Sequence, residues 1–171
     1  LRQVSTHGGD EPVWAPNGER LAYWDAHGET GIYWRRTDGA DPESLLKSAR
    51  VAFPESFAPD GSALVYTETD LKSEGDIWLL PLQGDRTPHP LVKTRFHEWG
   101  ARVSPDGHWL AYTSGESGRD EVYVQAFPGP GTRRQVSSDG GSAPVWSRSG
   151  RELFFRSDTR LMVAGVHPAT G

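Results

Sequence analysis

RVSPDGHWLAY at residues 102–112 predicts a β-hairpin, because an Asp-Gly pair that favours a tight turn lies between two apolar runs. The same phrase recurs as VWAPNGERLAY at 13–23, SFAPDGSALVY at 56–66 and VWSRSGRELFF at 145–155. Successive copies begin about 43 to 46 residues apart, the period of β-propeller blades rather than of helical repeats. We therefore predict an all-β fold: a β-propeller of four-stranded antiparallel blades, with four blade-equivalents in this chain.

Each copy of the phrase predicts two strands joined by a turn. In the second strand Leu110 precedes Tyr112 by two residues, which puts both side chains on one face. Ala111 between them is also apolar, so both faces are predicted to be buried, as they must be in blades that stack on their neighbours. A third strand begins at Ile32, Ile77, Val122 or Leu161, and a fourth covers 44–48, 90–94 or 134–138.

The whole chain, 1–171, is predicted to be a single β-propeller domain or part of one. The repeats cover about 12–48, 55–94, 101–138 and 144–167, and the last of them lacks a fourth strand. RQVSTHGGDEPVW at 2–14 nearly repeats RQVSSDGGSAPVW at 134–146, so residues 2–5 are predicted to be an outer strand.

Three arrangements satisfy this strand count. The chain closes on itself as four blades, two chains join as a homodimer with an eight-bladed ring, or the chain is a piece of a longer propeller with neighbouring domains. The absence of an initiator Met slightly favours the last arrangement.

Composition and motifs exclude several classes of function. The net charge of −5, without clusters of Lys and Arg, argues against binding nucleic acid. No stretch reaches the roughly 18 apolar residues of a membrane span. The chain has no Cys, its six His lack the spacing of metal ligands, and the signatures of nucleophile elbows, P-loops and zinc proteases are missing. We predict no metal site, no cofactor and no enzymatic activity.

The Pro-Asp-Gly phrases at 59–61 and 105–107, with their flanking aromatics, resemble the WD40-like repeats of TolB-type β-propellers. EVYVQAFPGPG at 121–131, with the phrase that follows it, is similar to the propellers at the C-terminal end of bacterial serine/threonine kinases. The resemblance covers essentially the whole chain and implies the fold. It is compatible with the bacterial cytoplasm and the periplasm alike.

The resemblance also implies that the first strand of each blade lines the propeller axis, and that the loops between blades share a face with the loops between second and third strands. Partners usually bind at that face. Both loop sets are rich in acids: Asp10, Glu11, Glu55, Glu98 and Asp139 in one, and Asp25, Glu29, Asp70, Glu74, Glu116 and Asp120 in the other.

Three aromatics depart from the repeat pattern. Phe53 and Trp99 occupy a position where the other repeats have Asp10 and Ser142, and Trp109 stands where they have Arg, Ala or Glu. Aromatics that the blade does not require are candidate anchors for a partner, although Phe53 and Trp99 could instead plug the axial channel or cover a neighbouring blade. The candidate partner-binding residues are Glu11, Phe53, Glu55, Glu98, Trp99 and Trp109.

Three functions fit these features. The first is a non-catalytic scaffold whose acidic loop face binds a protein or peptide partner, with a basic partner as one alternative. The second is a glycosidase- or lyase-type propeller enzyme that uses paired carboxylates such as Glu11 and Glu55 in its channel. The third is a structural spacer beside a kinase or hydrolase domain.

Overall fold

The structure is a computed structural model that describes residues 9–26, 30–69, 74–129 and 131–166. Every regular element in these ranges is a β-strand, and the strands form four antiparallel sheets in sequence order. The first three sheets have four strands each and the fourth has three. The all-β prediction is therefore confirmed, and the sheets are called blades 1 to 4 below.

Each blade begins two or three residues before the start that the sequence predicts for its repeat. Blade 1 contains β1 (Asp10–Trp14), β2 (Arg20–Asp25), β3 (Gly31–Arg36) and β4 (Glu43–Lys47). Blade 2 contains β5 (Ala52–Phe57), β6 (Ala63–Glu68), β7 (Asp76–Pro81) and β8 (His89–Val92). Blade 3 contains β9 (Glu98–Val103), β10 (Trp109–Ser114), β11 (Glu121–Ala126) and β12 (Arg134–Gln135). Blade 4 contains β13 (Ser142–Trp146), β14 (Glu152–Ser157) and β15 (Arg160–Gly165).

The turn of each repeated phrase is built as the sequence predicts. Gly61 and Gly107 take positive φ angles of 73° and 74°, a conformation that glycine adopts without steric cost. The preceding Asp60 and Asp106 accept hydrogen bonds from the backbone N–H two residues later, at 2.9 and 3.1 Å. These two aspartates therefore stabilise the turn, and their pairing in the sequence is not a catalytic dyad.

Alternation along the strands gives each blade a front face, which packs on the preceding blade, and a back face, which packs on the following one. On the back face of blade 1, Ala22 and Ile32 pack against Leu64 and Tyr66 on the front face of blade 2. The next two interfaces repeat this arrangement with Val65 and Ile77 against Leu110 and Tyr112, and with Ala111 and Val122 against Leu153 and Phe155. The hydrophobic core thus lies between the blades.

The innermost strands β1, β5, β9 and β13 contact one another in that order. The first strand of each blade therefore lines the axis, as the resemblance implies. The predicted outer strand 2–5 lies outside the described residues, as does the end of the fourth repeat beyond Val166. Within the described ranges, β15 is the outer strand of blade 4.

Candidate binding site at the propeller axis

A bulge interrupts all four inner strands at the same register. The pairing with the second strand shifts between Asp10 and Val13 in β1, and at the equivalent points of β5, β9 and β13. Glu11 and Ala143 hold φ angles of 47° and 53° there, in a region that non-glycine residues rarely adopt. Bulges re-aim side chains, and strained backbone concentrates at functional sites. This register of the inner strands is the first indication of a site.

The bulged strands enclose a cavity of about 310 Å³, which we call the axial pocket. Phe53, Trp99 and Val145 supply apolar wall, whereas Glu11 and Arg102 bring charge. All four blades contribute to it, with lining residues Glu11, Phe53, Glu55, Thr67, Thr69, His97, Trp99, Gly100, Arg102, Ala143, Pro144 and Val145. The pocket brings together four of the six predicted residues: Glu11, Phe53, Glu55 and Trp99.

Glu55 ties blade 2 to blade 3 at the pocket wall. Its carboxylate accepts hydrogen bonds from Thr67 Oγ1 at 2.9 Å and from the Gly100 N–H at 3.0 Å. Arg102 Nη1 lies 2.8 Å from the same carboxylate and 2.7 Å from the Glu55 main-chain oxygen. Three hydrogen-bond donors hold the Glu55 carboxylate in one orientation. Sequence patterns missed Thr67 and Arg102, because only the fold brings them to Glu55.

The two predicted aromatics contact protein and pocket alike. Phe53 packs edge-on against Trp24 of blade 1, with ring centroids 5.4 Å apart. Trp99 stacks on His97 at 6.2 Å. Phe53 thus covers a neighbouring blade, as one of the two interpretations expects, while both rings remain only half-buried and line the axial pocket. Stacking fixes their orientation without removing them from the cavity.

Glu98 does not lie at the surface where the sequence analysis placed it. It is the first residue of β9 and is completely buried, with its carboxylate 2.5 Å from Thr94 Oγ1 and 3.4 Å from Ser114 Oγ. Burial raises the pKa of the Glu98 carboxyl, and the hydrogen bonds from Thr94 oppose that rise only in part. Glu98 therefore cannot meet a partner in this conformation.

Trp109 lies away from the axial pocket. It is the first residue of β10, next to the Asp-Gly turn, where its backbone N–H donates to Ser104 Oγ at 2.9 Å. Its side chain packs at the edge of the core between blades 3 and 4. The structure thus gives Trp109 a packing contact, whereas the sequence analysis grouped it with the pocket aromatics.

Three residues of the predicted acidic face, Glu55, Glu116 and Asp139, take part in ion pairs. Five carboxylates of blades 2 and 3 have a cationic partner: Glu55 with Arg102, Glu68 with Arg50, Asp76 with Lys93, Glu116 with Arg133 and Glu121 with Arg119. Four of these pairs join residues that are far apart in the chain, so sequence alone could not show them, whereas Arg119 and Glu121 are near neighbours. Among the described side chains, no three His, Asp or Glu converge on a point that could hold a metal ion.

A wider groove of about 680 Å³ lies at the hairpin turns between blades 1 and 2. Arg20 stacks over the ring of Trp34 at 3.9 Å, and Glu43 accepts a hydrogen bond from the Trp34 indole at 2.7 Å. The polar and charged groups of these three side chains therefore interact with one another. The groove contains none of the predicted site residues, and the axial pocket remains the candidate site.

Comparison with known proteins agrees with the fold. No family model matches the chain. The Tol-Pal system protein TolB of Anaeromyxobacter dehalogenans is 29% identical over 110 residues, which are 64% of this chain and 25% of that protein. This chain therefore spans about a quarter of the length of the curated relatives it matches.

Solved structures extend the likeness to most of the chain. A TolB structure from Agrobacterium tumefaciens superposes with a TM-score of 0.77 at 21% identity, covering 86% of this chain and 53% of that one. TolB from Acinetobacter baumannii gives 0.75 at 20% identity, covering 92% and 40%. A gluconolactonase from Xanthomonas campestris gives 0.67 at 20% identity, covering 92% and 58%. At these identities the structures establish the fold alone.

The sequential four-stranded blades and their shared axis define the chain as a β-propeller. The Pro-Asp-Gly phrases and the matches to TolB proteins identify its repeats more closely: they are TolB-type WD40-like repeats. The closer likeness to kinase-associated propellers stays a prediction. No helix in the described ranges is long and apolar enough to cross a membrane.

Proposed function

We propose that the chain is a non-catalytic β-propeller module that binds a protein or peptide partner in the axial pocket. Two half-buried aromatic rings, Phe53 and Trp99, line one cavity together with Arg102 and Glu11, and this observation carries the proposal. Aromatic and Arg side chains dominate the energetics of protein interfaces. The curated relative named above is a Tol-Pal system protein, and a role in a protein assembly is consistent with that name.

The pocket suits an apolar side chain of the partner. Its volume of about 310 Å³ is at the lower end for ligand sites, enough for one or two side chains of a peptide. Phe53, Trp99 and Pro144 supply apolar contact, and Glu11 is exposed at the rim. We propose a partner segment with an apolar anchor next to a basic residue, because the basic residue would meet the exposed carboxylate of Glu11.

The same pocket gives an enzyme less support. Glu11 and Glu55 both line it, which is the arrangement that motivates a glycosidase- or lyase-type mechanism. Glu55, however, already accepts hydrogen bonds from Thr67, Gly100 and Arg102. A general acid must carry a proton to its substrate, and a carboxylate held by three donors is poorly suited to that role. We therefore propose binding as the function of this pair.

The test uses a defined peptide panel. Peptides with an aromatic or aliphatic anchor and a Lys, Arg, neutral or acidic neighbour are titrated against the chain, and the Trp99 indole resonance is followed by NMR. We expect saturable shifts for the apolar-basic peptides. Trp99→Ala and Phe53→Ala should each weaken binding at least tenfold with little change in Tm. Trp109→Phe is the matched control, since it alters a tryptophan outside the pocket, and should bind as the unsubstituted chain does.

Two results would contradict the proposal. Binding that survives in both Trp99→Ala and Phe53→Ala would place the partner site elsewhere. Turnover of a glycoside panel that is lost in Glu11→Gln would favour the enzyme. The contribution of the Glu11 charge is tested separately by the association rate. Glu11→Gln should slow the association of basic peptides at low salt and leave the association of neutral peptides unchanged.

A further inference from the structure

The Arg102 guanidinium uses only one of its three nitrogens for contacts within the chain. Nη1 donates to the Glu55 main-chain oxygen at 2.7 Å, to the Glu55 carboxylate at 2.8 Å and to the Ala101 main-chain oxygen at 3.0 Å. Among the described residues, Nε and Nη2 have no hydrogen-bond partner. The N–H groups of these two nitrogens lie side by side along one edge of the planar group. This edge is therefore free to receive a ligand.

The free edge has the chemistry of a carboxylate receptor. A guanidinium binds a carboxylate through two parallel, charge-assisted N–H···O hydrogen bonds, a geometry that lysine cannot reproduce. Arg102 lines the axial pocket and its side chain is 38% exposed, so a ligand in the pocket has access to it. The three Nη1 contacts hold the group in place before any ligand arrives, which reduces the side-chain entropy lost on binding.

The ion pair with Glu55 leaves Arg102 able to accept a second anion. Oε1 of Glu55 takes its hydrogen bonds from Thr67 and from the Gly100 N–H, and only Oε2 faces Arg102. The negative charge of Glu55 is thus shared among three donors. A guanidinium has five N–H groups in a fixed fork, so one carboxylate at Nη1 does not block another at the opposite edge.

Charges of opposite sign lie on two separate strands of the pocket. Glu11 belongs to β1 and Arg102 to β9, and β5 lies between them and contributes Phe53. Glu11 is exposed. A segment that crosses the pocket would meet a carboxylate, then an apolar wall, then a guanidinium, and this order distinguishes the two ends of the segment.

We propose that the axial pocket binds its partner segment in one direction, with a carboxylate of that segment held by Nε and Nη2 of Arg102 and its basic residue at Glu11. The inference rests on the proposed function, because it concerns the same pocket and the same partner. The carboxylate comes either from an Asp or Glu side chain that follows the apolar anchor or from the C-terminus of the segment. Arg102 is thereby the residue that selects the anionic end.

Two pairs of peptides test the proposal and separate the two sources. All four contain a Lys followed by an aromatic anchor. The first pair ends one residue after the anchor, with a free or an amidated C-terminus; the second pair is amidated and has Glu or Gln after the anchor. Calorimetric titration at low salt should show about tenfold tighter binding for the carboxylate member of one pair, because a charge-assisted bidentate contact is gained. The pair that shows this preference identifies the source.

Arg102→Lys tests the role of the guanidinium edge. Lysine keeps the positive charge beside Glu55 but lacks the planar fork, so the preference should fall below about threefold. Arg119→Lys is the matched control, because Arg119 pairs with Glu121 at 2.9 Å outside the pocket, and it should retain the full preference. In the unsubstituted chain, the Arg102 Nε–H NMR signal should shift on addition of the preferred carboxylate peptide and stay in place with its neutral counterpart.

The outcomes separate this inference from the proposed function. Equal affinity within both pairs, a preference that survives in Arg102→Lys, or an Nε–H signal that does not move would each overturn the role of Arg102. If binding in those cases still requires Phe53 and Trp99, the proposed function stands. Absence of binding by all four peptides would overturn both. Should Arg102→Lys fail to fold, the Nε–H signal of the unsubstituted chain decides the question.

Discussion

Four leucines at one repeat position offer a direct measurement of how each blade interface contributes to stability. Leu64, Leu110 and Leu153 are completely buried between blades, whereas Leu21, their counterpart on the front face of blade 1, is only partly buried. We expect Leu→Ala at each of the three buried positions to lower the free energy of unfolding by about 3 kcal/mol, since the loss combines transfer of the removed methyl groups with the cavity left behind.

The same substitution at Leu21 should cost about 1 kcal/mol, because its side chain leaves part of its apolar surface in water and no preceding blade among the described residues encloses it. Urea unfolding at low protein concentration measures both values. With an m-value of about 2.5 kcal/mol/M for a chain of this size, the buried substitutions should lower the midpoint by about 1.2 M and Leu21→Ala by about 0.4 M.

The comparison also reports whether the front face of blade 1 is covered within one chain. Equal costs at all four positions in dilute solution would refute the reasoning, since they would mean that the front face of blade 1 is already packed within one chain.

Two further predictions concern single residues. Folding raises the Glu98 pKa above its ordinary value of 4.5, so the folded state binds this proton more tightly than the unfolded chain does. The free energy of unfolding therefore falls as the pH rises through the raised value. Glu98→Gln should gain stability relative to the unsubstituted chain at pH 7 but not at pH 4, and an equal effect in urea unfolding at both pH values would contradict this. Gly61→Ala should lower the free energy of unfolding by about 1–2 kcal/mol, because a φ of 73° is unfavourable for Ala, although no atom lies within 4 Å of the added methyl group. Gly115 is the control: its added methyl group would also meet no atom within 4 Å, but its φ is not positive, so Gly115→Ala should cost much less.

The blades could be predicted from sequence because local chemistry specifies them. An Asp-Gly turn between apolar runs and a Leu followed two residues later by an aromatic have the same meaning in every copy of the phrase. The bulges of the inner strands have no such signature, since the residues at that point are Glu11-Pro12 in one blade and Gly100-Ala101 in another. A bulge depends on how two strands pair, and pairing is a property of the ladder rather than of a single residue type.

The burial and pairing of charged side chains also could not be predicted from the sequence. A carboxylate in a polar segment suggests exposure, yet Glu98 lies where hydroxyls from Thr94 and Ser114 replace water. Likewise Arg102 pairs with Glu55 across 47 positions of sequence. Strand pairing and blade packing bring partners of this kind together, so only the assembled fold reveals them.

The position of the candidate site follows from what the repeats do and do not share. Neighbouring blades impose the same contacts on every blade, and Leu or an aromatic accordingly recurs at the same point of each second strand. The inner strands read DEPV, FPES, WGAR and SAPV at equivalent positions, so blade packing does not dictate those residues. Trp109 shows that departure from the repeat is insufficient by itself, since it varies and yet packs at the edge of a core. Variation combined with a place on a bulged inner strand singles out Phe53, Trp99 and Arg102, and binding should be sensitive to these side chains while the blades remain intact.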